Sequence, residues 1–273
     1  MKIALMDSGI GLLAAAAAVR RLHPGADLVL SSDPDTMPWG NAPEKVKELA
    51  LAAAEAAAAH RPDALIVACN TASVHALPAL RARLEPELPV IGTVPAIKPA
   101  AATGGPVAIW ATPATTGSPY QRGLIEEFAA GVTVTEVPCP GLADAVQEAD
   151  EEAITRAIAA AAALTPTDVT TVVLGCTHYE LVAERIRAAV QQPDAKPLVL
   201  RGSAEAVAAQ ALRRIRERDA VDAEDGTEAS YDTEGAEGTL TVLLGGREAA
   251  LPSAALAYAE GRLLAASDPL LKA

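Results

Sequence analysis

A chain of 273 residues, 51% of them hydrophobic and with a mean hydropathy of +0.22, can bury a substantial core in one large domain or two small ones. Its net charge of −13 argues against nucleic acid or an anionic membrane surface as partner, since both demand a basic face. Aromatic residues make up only 3%, so Ala, Val and Leu must build the interior, and the many alanines favour helices. No basic segment followed by an apolar stretch and a cleavage site opens the chain. The alanine-rich run from Leu12 to Val19 is too short to span a bilayer and meets Arg20 and Arg21 at once. Three widely spaced cysteines make no disulfide framework, so the expected setting is the cytoplasm, with reduced thiols.

In chain order, "MKIALM" (Met1 to Met6) predicts a strand that stops at the turn-like "DSGIG". A helix is expected over Gly11 to Leu22, a strand over Ala26 to Ser32, and a long helix over Glu44 to His60. "DALIVAC" and "PVIGTV" read as the third and fourth strands. Strands alternating with helices imply βαβ units and a mostly parallel sheet. The rhythm then restarts. "PVAIWAT" is a strand, Gly117 to Ala129 helical, "VTVTEVP" a strand, Asp144 to Leu164 helical and "VTTVVLGC" a strand. Glu180 to Gln191 is helical, "KPLVLRG" a strand, and Ser203 to Arg218 a helix. Two α/β halves therefore meet near Pro95 to Gly105. The acidic, glycine-rich stretch from Asp219 to Gly238 reads as a mobile loop with room for a short hairpin, before the strand "TLTVLLG" and a last helix from Ser253 to Leu264.

Each half carries a cysteine where a strand ends: "LIVACNTAS" (Leu65 to Ser73) and "VVLGCTHYE" (Val172 to Glu180). In open parallel sheets ligands bind outside the carboxyl ends of the strands, where Asp7, Cys69 and Cys176 are expected. Each thiol is followed by small polar groups and an opening helix, whose N-terminus can bind a carboxylate and favour a thiolate. Two such thiols suit proton abstraction from one face of a carbon and delivery to the other. The plainer reading is that a cysteine ending an apolar strand is a small buried hydrophobe; the recurrence in both halves weighs against it. Cys139, between Pro138 and Pro140, keeps the plainer reading. Three cysteines and His178 offer no C-x-x-C or H-x-x-x-H spacing, so no metal is expected. Asp7 or Ser8 could instead cap the helix beginning near Gly11. "DSGIG" lacks the G-x-G-x-x-G and G-K-[ST] fingerprints, so no nucleotide is expected either.

The segments "DSGIG", "PWG" (Pro38 to Gly40), "ACNTAS", "GTVPAIKPA" (Gly92 to Ala100) and "LGCTHY" (Leu174 to Tyr179) together resemble glutamate racemases of the cofactor-independent aspartate/glutamate racemase superfamily. Their order and spacing match from Met1 to about Gln210. The resemblance implies two pseudosymmetric α/β domains with the active site in the cleft between them. The expected division is 1–97 completed by 212–273, and 98–211. It implies that Cys69 and Cys176 are paired acid/bases tuned by Asp7 and His178. Ser8, Trp39, Gly40, Asn70, Thr71 and Thr177 match substrate-binding positions, and Thr115 is a further candidate. No cofactor is implied, the partner is a small acidic amino acid, and a homodimer is left open. The product, D-glutamate, would feed peptidoglycan synthesis.

The chain departs from the family pattern in four places. After "CP" the family usually carries a Glu that supports one cysteine, where Gln147 stands here with Glu148 beside it. Trp39 replaces the smaller aromatic of its motif, Leu12 stands at a usual glycine, and "LLGGRE" replaces a Thr/Ser-Gly-Asp turn. Another acidic substrate in specialised metabolism, or an impaired homologue that only binds a ligand, therefore remain as alternatives.

Overall fold

The chain is described by a computed structural model over residues 1–37, 42–193, 195–224 and 238–267. Strand β1 (Lys2–Asp7) leads into helix α1 (Leu12–Leu22), β2 (Asp27–Ser32), a 3₁₀ turn at Pro34–Thr36, α2 (Pro43–Ala58) and β3 (Ala64–Val67). Two short helices, α3 (Asn70–His75) and α4 (Leu77–Leu84), precede β4 (Val90–Gly92). A second series follows: α5 (Ile97–Ala101), β5 (Val107–Ala111), α6 (Pro119–Phe128), β6 (Val134–Pro138), α7 (Leu142–Glu148), α8 (Glu151–Leu164), β7 (Thr171–Leu174), α9 (Thr177–Glu180), α10 (Ala183–Val190) and β8 (Val199–Arg201). The chain closes with α11 (Ala204–Glu224), β9 (Leu240–Leu244), β10 (Arg247–Ala249), a 3₁₀ segment at Ser253–Ala257 and α12 (Ala259–Ala265). Contacts group these elements into two units, Met1–Thr93 with Ala204–Ala273, and Val94–Ser203. Helix α11 lies wholly in the first unit, so the boundary expected at 211/212 falls inside it.

The first unit has a six-stranded sheet in the order β10-β9-β2-β1-β3-β4, parallel throughout except for the β9–β10 hairpin. Side chains alternate across a strand. On β1, Ala4 and Met6 pack with Val46, Ala50 and Ala54 of α2, leaving the equally buried Ile3 and Leu5 to the opposite face. There α1 packs on β1 and beneath α11 and α12. Helix α1 is buried from Leu12 to Arg20, and a helix apolar all round must be covered all round. Its alanines let the neighbouring helices approach closely. The second unit has a four-stranded parallel sheet, β6-β5-β7-β8. Val107 and Ile109 of β5 and Val173 of β7 face Ile97 of α5, with Leu124 and Phe128 of α6. On the other side the indole N–H of Trp110 donates to Thr165 at 2.9 Å. Both sheets thus share one core order, with their first strand second in line and their third strand beside it.

Several expected elements resolve differently. The helix expected over Asp144 to Leu164 is two, because Ala149 adopts a left-handed conformation (φ 54°) and Asp150 restarts the helix by accepting from the Ala153 N–H at 2.9 Å. The helix expected from Glu180 is likewise split into α9 and α10. The last helix begins as a 3₁₀ segment. The loop expected from Asp219 is helical through Glu224, and its remainder, 225–237, lies outside the described residues. "LLGGRE" forms a hairpin whose Gly245 and Gly246 both have positive φ, as tight hairpin turns require. Neither Asp7 nor Ser8 caps α1; Gly11 occupies that position without a side-chain bond.

Candidate active site

In the first unit, β1 and β3 are paired neighbours and the chain leaves both at their carboxyl ends. The N–H of Ala68 still donates to the Met6 carbonyl at 2.8 Å, carrying the pairing one residue past β3. Cys69 follows in an extended conformation (φ −144°, ψ 120°) at the N-cap of α3, and its carbonyl accepts from Ser73 at 2.9 Å. Beside it, Asp7 ends β1, almost wholly buried, and its Oδ1 accepts from the N–H of Ser8 at 2.6 Å and from the Ser8 hydroxyl at 3.2 Å. Asn70 and Thr71 open α3 with first-turn N–H groups that helical bonding leaves over.

The second unit repeats this construction. Gly175 extends β7 by donating its N–H to the Trp110 carbonyl at 2.7 Å. Cys176 then adopts φ −136°, ψ 137° and caps α9, which Thr177 and His178 open. A Cβ on Gly175 would stand 2.7 Å from that same carbonyl oxygen, so the "GC" of the motif needs its glycine. Cys176 Sγ lies 3.9 Å from His178 Nδ1, and His178 Nε2 lies 3.1 Å from Gln147 Oε1. Gln147, on α7, therefore touches the histidine. Burial of His178 depresses its pKa to about 4, which keeps the imidazole neutral at neutral pH.

Thr115 sits past the end of β5, its hydroxyl 3.2 Å from that of Thr112. Glu136 fixes the loop by accepting from the Gly117 N–H at 2.6 Å and from the Gln121 amide at 2.8 Å. Cys139 belongs to neither construction. Burial raises its thiol to about 12, and its S–H donates to the Val137 carbonyl at 3.5 Å. The fully buried Tyr179 donates its hydroxyl to the Cys139 carbonyl at 3.3 Å, so Cys139 serves packing. Trp39 and Gly40 lie outside the described residues. Among the described residues no three His, Cys, Asp or Glu side chains gather as a metal would require, and no helix is long and apolar enough to cross a membrane.

Residues that the motif reading passed over hold the first thiol in place. The Thr93 hydroxyl donates to the Val67 carbonyl at 2.7 Å, and Ser73 Oγ reaches the same oxygen at 3.4 Å. Ser73 also accepts the Thr93 N–H at 2.9 Å. This clasp ties the ends of β3 and β4 together two residues before Cys69. Its signal was present in "CNTAS" and "GTVPAIKPA", but only pairing in space gives those hydroxyls a role.

Residues 12–211 match the family described as Asp/Glu/Hydantoin racemase. The chain belongs to that family. Among its relatives, the glutamate racemase of Roseiflexus sp. (strain RS-1) is 37% identical over 222 residues, covering 78% of this chain and 81% of that protein. That of Ectopseudomonas mendocina (strain ymp) is 34% identical over 208 residues, covering 74% and 78%. Among solved structures, the Escherichia coli glutamate racemase in complex with L-glutamate and the activator UDP-MurNAc-ala superposes with a TM-score of 0.73 at 26% identity, covering 94% of this chain and 91% of that one. The Thermus thermophilus glutamate racemase in complex with β-chloro-D-alanine superposes with a TM-score of 0.65 at 28% identity, covering 97% and 92%.

Proposed function

We propose that the chain interconverts L- and D-glutamate, with Cys69 and Cys176 each serving one face of Cα. The observation that carries the reading is the duplicated construction: each cysteine stands two residues past the third strand of its sheet, extended, and caps a short helix. A buried hydrophobe needs no such repetition. An acid/base pair does, because racemisation takes a proton from one face and returns one to the other. The family match and the relatives named glutamate racemase support the substrate.

In this reading one thiolate removes the Cα proton. The C–H bond breaks, an S–H bond forms, and the electron pair remains on Cα, delocalised into the adjacent carboxylate. The opposite thiol then gives its proton to Cα. Ser8, Asn70, Thr71 and Thr177 supply hydroxyl, amide and first-turn N–H donors for the substrate's carboxylates, with Thr115, Trp39 and Gly40 completing the set. Asp7 orders the Ser8 turn, and His178 exchanges a proton with Cys176. The step calls on no metal, pyridoxal phosphate or nucleotide. D-Glutamate for peptidoglycan, made in the cytoplasm, is the physiological role that follows.

The test is enantiomer-resolved turnover. L- and D-glutamate should each relax to the racemate, with equal kcat/KM because enantiomers have equal free energy. Turnover of a different acidic amino acid with none of glutamate would keep the thiol chemistry and replace the substrate. Inertness toward all acidic amino acids would refute the reading.

A further inference from the structure

The series Cys176, His178, Gln147, buried at the histidine and half-buried at either end, holds a choice of tautomer. Gln147 presents Oε1 to His178 Nε2 at 3.1 Å. A carbonyl oxygen can only accept, so with Oε1 turned to the ring the matching neutral tautomer carries its proton on Nε2. The other nitrogen, Nδ1, then offers a lone pair, and Cys176 Sγ stands 3.9 Å away, within reach of an S–H···N bond. We propose that Gln147 is a positioning residue that holds His178 in the Nε2–H tautomer, so that Nδ1 accepts the Cys176 proton and the pair rests as thiol and neutral imidazole. The inference builds on the reading that Cys176 handles the Cα proton.

The surroundings favour the neutral pair. His178 is 3% exposed, and burial penalises its cation. Next to it on α9, Tyr179 is held protonated by burial, as is the Cys139 thiol that follows β6. Helix α7 contributes Asp144 and Glu148, both exposed, so their charges are screened by solvent. The group that meets the ring directly from α7 is the uncharged amide of Gln147. When Cys176 acts as base, its S–H proton moves to Nδ1, leaving thiolate and imidazolium, and Nε2–H continues to donate to the amide oxygen. When Cys176 acts as acid, its resting thiol gives the proton to Cα directly. Gln147 thus sets how often the thiolate is present without touching the substrate.

The experiment is ¹⁵N–¹H correlation spectroscopy of the full chain carrying ¹⁵N-histidine, with His178 assigned by its absence in His178→Asn. Wild type should show Nε2 protonated and Nδ1 bare near neutral pH. An Nδ1–H tautomer, or an even mixture, would overturn the proposal without any variant. In Gln147→Glu a carboxylate faces Nε2, which should raise the His178 pKa by about 1–3 units. The pH midpoint for iodoacetamide alkylation of Cys176, read by mass spectrometry of its peptide, should fall in step. A Gln147→Glu protein with both midpoints unmoved would overturn it as well. Neither readout needs turnover, so a protein inert toward glutamate that still shows this tautomer would fail the functional reading while leaving the positioning role standing.

Discussion

Replacing Gly175 by alanine perturbs the construction at its tightest point. The added Cβ would stand 2.7 Å from the Trp110 carbonyl oxygen and 3.2 Å from Ala111 Cβ. The first neighbour is the backbone of β5, which cannot swing aside as a side-chain end can. Restoring ordinary contact means separating the strands by about 0.7 Å at the residue just before Cys176. Overpacking of this kind costs about 1–3 kcal/mol, or roughly 2–4 °C of Tm for each kcal/mol in a chain of this size. Activity should fall further than stability suggests. A displacement near 1 Å at a reacting group loses about 10²-fold in rate, so a loss of about 10- to 100-fold is expected. The assays are thermal unfolding and racemisation followed by polarimetry. Gly123→Ala is the control: nothing lies within 4 Å of its added Cβ in α6, so it should stabilise by about 0.5–1 kcal/mol at unchanged activity. Gly175→Ala with undiminished Tm and turnover would refute the claim that the close approach of β7 to β5 positions the thiol.

Thr93→Val keeps the side chain's shape but removes the donor to the Val67 carbonyl, so urea unfolding should show a loss of about 1–3 kcal/mol with reduced turnover, and Thr93→Ser should restore both. His178 takes up its proton near pH 6.5 when unfolded but only near 4 when folded, so the unfolded state binds more protons across that window. Stability should therefore fall as pH drops from 6.5 to about 4, by up to roughly 3 kcal/mol, and His178→Asn should remove that part of the dependence in urea titrations at several pH values. Cys139→Ala should keep racemisation near wild type, because burial holds that thiol protonated up to about 12; an abolished rate would show that the wrong cysteines have been paired.

The strands and their grouping into two mostly parallel α/β halves were legible because β-branched runs ended at repeated punctuation, whereas the strand order came only from the structure. "DSG", "ACNT" and "LGCT" mark strand ends that the sheets place at their carboxyl edges. Other features carried a weak local signal or none. Ala149 breaks a helix in a left-handed conformation that alanine seldom adopts, with only Asp150 as a hint of the restart. The hairpin at Gly245 and Gly246 had its turn residues in plain view, but the strands it joins, β9 and the edge strand β10, are only five and three residues long. The Thr93–Val67–Ser73 clasp spans 26 residues and exists only once β4 lies beside β3. Gln147 read in sequence as a lost supporter of a cysteine; in the structure it meets His178, which turns a missing charge into a choice of tautomer.

The central claim, one thiol for each face of Cα, is tested most directly by racemisation in D₂O. Starting from either enantiomer, wild type should place deuterium at Cα mainly in the newly formed enantiomer, since the thiol that removes a proton and the thiol that returns one are different. Cys69→Ala and Cys176→Ala should each lose racemisation by about 10²–10⁴-fold or more, while retaining exchange at most for the single enantiomer that the surviving thiol reaches. Deuterium appearing equally in substrate and product from the first turnovers, or a Cys69→Ala protein that keeps most of the wild-type rate, would contradict it.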